Sequence, residues 1–221
     1  RRTIMKTEFP SEEKTLSKED YEEPCCPFSK PHKVSPIPTR RILEKLDEYL
    51  SRNDYLSAEQ LLSYWSKEAD DRNDMGGKLT VLNEQIGLYR KMNREPEGLQ
   101  AIKEALALAD TLQMENTVTL GTTLINAATG YKAFGMAETA LPLYQKAKEI
   151  CEAVLSPTDT RLGGLYNNMA VTVMELGGYR EAEELFGRAI KIMSEQEHGE
   201  ADMAITYHEK PHTHMPCSRR R

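Results

Sequence analysis

Two short stretches of the chain hold residue types able to do chemistry. Near the C-terminus, His208-Glu209-Lys210-Pro211-His212 has the H-E-x-x-H spacing, in which two histidines one helical turn apart hold zinc and the glutamate activates a water. That chemistry needs an unbroken helix. Pro211 has no N–H, and its ring collides with the carbonyl four residues back, that of Tyr207. Little chain follows from which a substrate cleft could be built. In the stretch CCPFSKPH, Cys25, Cys26 and His32 lack the second pair of ligands that a zinc site requires, and adjacent cysteines seldom bond to each other. No other set of His, Cys, Ser or acidic residues has catalytic spacing. The expectation is a chain that is not an enzyme, with no resident metal and no cofactor.

Composition narrows the remaining classes. The chain has 221 residues, 39% of them hydrophobic and 29% charged, enough to bury a core. A net charge of −6 argues against a nucleic-acid partner, which calls for a basic face that neutralises phosphates. No apolar run approaches the roughly 20 residues that cross a bilayer. With Cys151 and Cys217, the four cysteines show no disulfide framework, so a reducing, cytoplasmic setting is expected.

Organisation changes along the chain. Residues 1–38 carry prolines at 10, 24, 27, 31, 36 and 38 and little apolar periodicity, the composition of a flexible leader. Residues 39–207 show long helical patterns, and residues 208–221 are expected to be a disordered tail. Within the helical region a single pattern recurs: a small residue, a bulky one four places on, and a small one three places further. It appears as Ala182, Phe186, Ala189 and, 42 residues earlier, as Ala140, Tyr144, Ala147. It returns as Gly98, Ile102, Ala105 and, with Trp65 in place of the last small residue, as Ala58, Leu62, Trp65. Before each lies a turn opening with Asn53, Asn93, Gly135 or Gly177, residue types that tolerate a left-handed helix end. Small residues let two helix axes approach closely, so each unit reads as a helix hairpin, and a fixed period reads as a solenoid.

These residues resemble the tetratricopeptide repeat (TPR): Ala128 and Ala170 in the first helix (helix A), Tyr49, Tyr89 and Tyr131 near its end, the turn glycine, then Ala, aromatic, Ala in the second (helix B). The 42-residue period and the stretch NNMAVTVMELGGYREAEELFGRAIKI are similar to the kinesin-light-chain variety, which is also common in bacterial proteins. The resemblance implies an all-α, right-handed solenoid with repeats starting near 39, 79, 121 and 163, and a partial fifth from about 200. It also implies a scaffold that binds a peptide or protein segment on the concave wall.

The A helices of such a stack line the inner wall. Helical spacing then places Asn83, Glu84, Arg90 and Lys91 on it in the second unit, Ile125, Asn126, Thr129 and Lys132 in the third, and Asn167 and Asn168 in the fourth. Asn126 and Asn168 occupy the same place in successive units. A carboxamide donates and accepts, so it can pair with the backbone of an extended peptide. The resemblance assigns that role to these two asparagines. The alternative is that each asparagine simply tolerates an exposed helix face or bonds to the next repeat. Arg90, Lys91 and Lys132 are candidates to attract an acidic segment or a C-terminal carboxylate. The candidate peptide-binding set is thus Asn83, Arg90, Asn126, Thr129, Lys132, Asn167 and Asn168. A purely structural or self-associating module is the rival reading, with contact through an uncapped C-terminal edge at Leu185 to Met193.

Overall fold

A computed structural model describes residues 36–195. The leader up to residue 35, the partial fifth repeat, the 208–221 tail and the HEKPH stretch lie outside the described residues, as do Cys25, Cys26 and Cys217. The described chain folds as four helix hairpins: α1 (Thr39–Ser51) with α2 (Tyr55–Asp71), α3 (Met75–Lys91) with α4 (Glu95–Thr111), α5 (Val118–Ala133) with α6 (Ala137–Val154), and α7 (Thr160–Glu175) with α8 (Tyr179–Ser194). No strand occurs among the described residues. Helices A begin at 39, 75, 118 and 160. No described helix is long and apolar enough to cross a membrane.

The recurring small residues sit in the packed core between the helices. Ala58, Ala105, Ala140, Ala147, Ala182 and Ala189 are wholly buried, as are the bulky Leu62, Ile102, Tyr144 and Phe186 between them. The departures have local causes. A side chain at Gly98 would strike the ring of Phe134, whose Cζ lies 2.5 Å from the place of its Cβ. Trp65 is too large for the site that Ala105, Ala147 and Ala189 fill, so it lies half-buried at the margin of the first core and meets Tyr64 edge-on, ring centres 5.2 Å apart.

Sharp turns close each hairpin. Asn53, Asn93, Gly135 and Gly177 all have positive φ, from 53° to 86°, as their residue types predict, and Asn73 and Gln113 adopt the same conformation between hairpins. Side chains of Asp54, Asp74, Thr117 and Asp159 accept from backbone N–H groups in the first turn of α2, α3, α5 and α7. Asp74 also holds the entering chain: its second carboxylate oxygen accepts from the N–H of Ile37 at 2.8 Å, and Ile37 is buried in the first core. That contact brings residue 37, which composition assigns to the leader, into the folded region.

Each B helix packs against its own A helix, and α2, α4 and α6 also pack against the A helix of the next hairpin. Successive A helices also touch directly, α1 with α3, α3 with α5 and α5 with α7, so they form the inner wall of the stack. The apolar edge expected at Leu185 to Met193 is largely turned inward: Leu185, Phe186, Ala189 and Ile192 are buried, and only Ile190 and Met193 are partly accessible among its large apolar side chains.

The left-handed residue at Gln113 gives a first test. Glutamine has a Cβ that disfavours this conformation by about 1–2 kcal/mol, while glycine loses about 0.5–1 kcal/mol more backbone entropy on folding. Gln113→Gly should therefore raise the stability read by urea denaturation by about 0.5–1 kcal/mol. Asn93→Ala should lower it by a similar amount.

Candidate peptide-binding site

Helices α3, α5 and α7 carry the candidate residues, and they do not carry them equivalently. Between α3 and α5 the wall is laced shut. The Asn83 amide group donates to the Leu79 carbonyl and to Thr123 Oγ1, both at 3.0 Å, and its Oδ1 accepts from Asn126 Nδ2 at 3.2 Å. Thr123, wholly buried, in turn donates to the Thr119 carbonyl. Asn83 thus uses both amide hydrogens and its oxygen within the wall, and Asn126 uses one hydrogen there. For this pair, bonding to the neighbouring repeat is what occurs.

One repeat further on, the same positions hold other residues. Ile125 stands where Asn83 does, Leu165 where Thr123 does, and Asn168 where Asn126 does, each 42 residues later. Isoleucine has nothing to offer the Asn168 carboxamide, whose side chain makes no hydrogen bond among the described residues. A pocket of about 240 Å³ opens here between α5 and α7. Ile125, Leu165, Val118, Cys151 and Leu155 make it mostly apolar, and Thr122, Arg161 and Asn168 complete its lining. Gly164 also lines it, and a Cβ there would meet nothing within 4 Å. Cys151 is a buried free thiol, and burial pushes its pKa up.

A second polar link holds α5, α6 and α7 together at the other end of the wall. The hydroxyl of Tyr144, on helix α6, lies 2.8 Å from Thr129 Oγ1, and it also meets Thr172 of α7. Thr129 donates as well to the Ile125 carbonyl. Burial pushes the Tyr144 hydroxyl up to about 12. Arg90 is exposed at the end of α3 and Lys132 half-exposed at the end of α5, neither with a hydrogen bond or ion pair among the described residues. Glu84 is half-buried on α3, where desolvation and then the charge of Asp47 raise its pKa. The inner wall is therefore acidic toward the first hairpin and cationic at the ends of α3 and α5. Asn167 is half-buried on α7, next to Asn168.

The sequence alone leaves several of these roles hidden. Tyr144 reads as a core aromatic, and only its position against two threonines gives the hydroxyl a partner. Asn83 and Asn126 are 43 residues apart, so a comparison of equivalent positions in successive repeats does not pair them. Among the described residues no group of three His, Cys, Asp or Glu side chains is placed to hold a metal ion.

Comparison with known proteins agrees with this geometry. A family model of the tetratricopeptide repeat (TPR) matches residues 163–209, and the described hairpins have the fold of a TPR array. Among solved structures it is similar to BtubC (BKLC) from P. vanneervenii, at a TM-score of 0.66 and 21% identity, over 77% of this chain and 69% of that one. It is also similar to a Podosopora anserina protein of nearly identical TPR-like repeats, assigned as a kinesin light chain, at a TM-score of 0.65 and 17% identity, over 77% of this chain and 82% of that one. At these identities the likeness establishes the fold. No curated protein matches the sequence. TPR arrays generally serve as protein-interaction scaffolds.

The two asparagines of the TPR wall should respond differently to truncation. Asn83→Ala removes three hydrogen bonds from a half-buried site and should cost about 1–3 kcal/mol in chemical denaturation, whereas Asn168→Ala should stay within about 0.5 kcal/mol of the parent. Tyrosine titration offers a separate check. Burial, and for Tyr166 also a 2.7 Å hydrogen bond to Glu152, raises both Tyr144 and Tyr166 to about 12, above the roughly 10 of an unfolded tyrosine. Their contribution is complete below pH about 10 and is lost as pH rises through about 12. Stability should fall over that window, and Tyr144→Phe should make the fall shallower; an unchanged slope would contradict the assignment.

Proposed function

We propose that this TPR array binds an extended segment of a partner protein along its inner wall, at the opening between α5 and α7. The observation that carries the reading is the replacement of the Asn83 and Asn126 pair by Ile125 and Asn168. It leaves a carboxamide able to pair with a peptide backbone beside an apolar pocket able to take one side chain. Asn168 lines the opening on α7, with Asn167 next to it in sequence, and Arg90 and Lys132 supply positive charge further along the wall. Asn83, Asn126 and Thr129, all members of the candidate set, act in this reading chiefly by holding the wall in shape.

Gly164 allows a clean test. A Cβ there meets nothing within 4 Å, so leucine would begin in open space at the pocket, and it favours the helix over glycine by about 1 kcal/mol. Peptides selected from a displayed random library on the parent chain should bind the Gly164→Leu and Asn168→Ala variants at least tenfold more weakly, with melting temperatures equal to or above the parent for the leucine variant. Selected peptides that bind both variants as tightly as the parent would remove the groove assignment.

A further inference from the structure

The outer side of the stack carries a second surface, independent of the inner wall. Curvature that brings A helices together spreads B helices apart. Between α6 and α8 the spread leaves two cavities end to end, about 370 and 320 Å³, which share Arg188 as a common wall residue. Helix α7 forms the floor of both, with Leu162 and Tyr166 under the first and Met169 under the second.

Charge along this furrow is uneven. Glu152 accepts from the Tyr166 hydroxyl and lies 3.5 Å from both Lys148 and Arg188, while the Arg188 guanidinium also sits over the Tyr166 ring at 5.7 Å. Two of the furrow's cations are thereby engaged by one carboxylate. At the first cavity Lys191 and Glu195 offset each other. At the second, Glu149 and Glu181 have no ion-pair partner among the described residues, and Glu184 has only Arg180 at 3.8 Å, with both side chains mostly exposed. The furrow is thus apolar at one end, over Pro157, Leu162 and Ile192, and acidic at the other.

We propose that the α6 and α8 furrow docks a basic segment of a partner protein, with an apolar side chain over Leu162 and Ile192 and Lys or Arg residues along Glu149, Glu181 and Glu184. Ile192 and Glu181 lie three turns apart on α8, about 16 Å at 1.5 Å per residue, which an extended segment spans in about five residues. The occupant therefore carries its apolar anchor and its basic cluster about five residues apart. Opposite charge at the acidic end supplies orientation and association rate, and the apolar end supplies the desolvated anchor.

The probe is a fluorescein-labelled peptide with one leucine followed, five residues on, by three lysines. Its two controls replace the leucine with serine or the lysines with glutamate. Anisotropy measures binding to the full chain, and carbon-13-labelled methionine methyls report the place. The leucine-lysine peptide should bind, shift the Met169 methyl, and bind at least tenfold more weakly to a Glu149→Gln, Glu181→Gln, Glu184→Gln variant, while Gly164→Leu leaves it unchanged. Equal binding by the triple variant, equal binding by the serine peptide, or loss on Gly164→Leu with an unmoved Met169 methyl would overturn the proposal. Self-association of the parent that the triple variant abolishes would seat a second copy in the furrow and overturn it equally.

Discussion

Close approach of helix axes at alanine is the contact on which the rest of this array depends. Ala140 and Ala147, or Ala182 and Ala189, leave no side-chain bulk at the crossing, so a single large residue between them, Tyr144 or Phe186, fills the remaining volume. Because α2, α4 and α6 each pack against their own A helix while also supporting the next, spacing between hairpins is set by small residues rather than by flexible ones. The A helices then come near enough for side chains to bond across them. With a longer separation, the bonds from Asn83 to Thr123 and from Asn126 to Asn83 would not form.

That consequence links packing to function. The same backbone geometry repeated 42 residues on presents Ile125, Leu165 and Asn168 in place of Asn83, Thr123 and Asn126. A wall that hydrogen bonds close in one place is left open in the next, and the opening is apolar because the residues that replaced the polar ones are. Buried polar groups keep their partners elsewhere: Tyr144 reaches Thr129, and Tyr166 reaches Glu152. The unmatched carboxamide of Asn168 lies at the rim, where water or a ligand can satisfy it.

Much of the fold is written in the sequence because its signals are local. Asn53, Asn93, Gly135 and Gly177 announce their turns by residue type, and the spacing of Ala182, Phe186 and Ala189 announces a packed face. Where the reading falls short, the cause is a contact between distant residues. Gly98 stands for alanine because Phe134, from the next hairpin, occupies the space of a Cβ. Ile37 belongs to the core because Asp74 holds its N–H, although prolines on either side give its segment the look of a leader. That the A helices stand side by side and carry the candidate residues was legible. The division of that set into bonded and available members was not, since it turns on side chains offset by one position between neighbouring repeats.

Exchange of side-chain amide protons tests the central claim most directly. In nitrogen-15 spectra of the unliganded chain, the Asn83 carboxamide, with both hydrogens donated, should exchange slowly, and that of Asn168 should exchange at the rate of a solvated amide. Protection of Asn168 equal to that of Asn83 would show that the wall is closed between α5 and α7 as well, and the account of the site would fail.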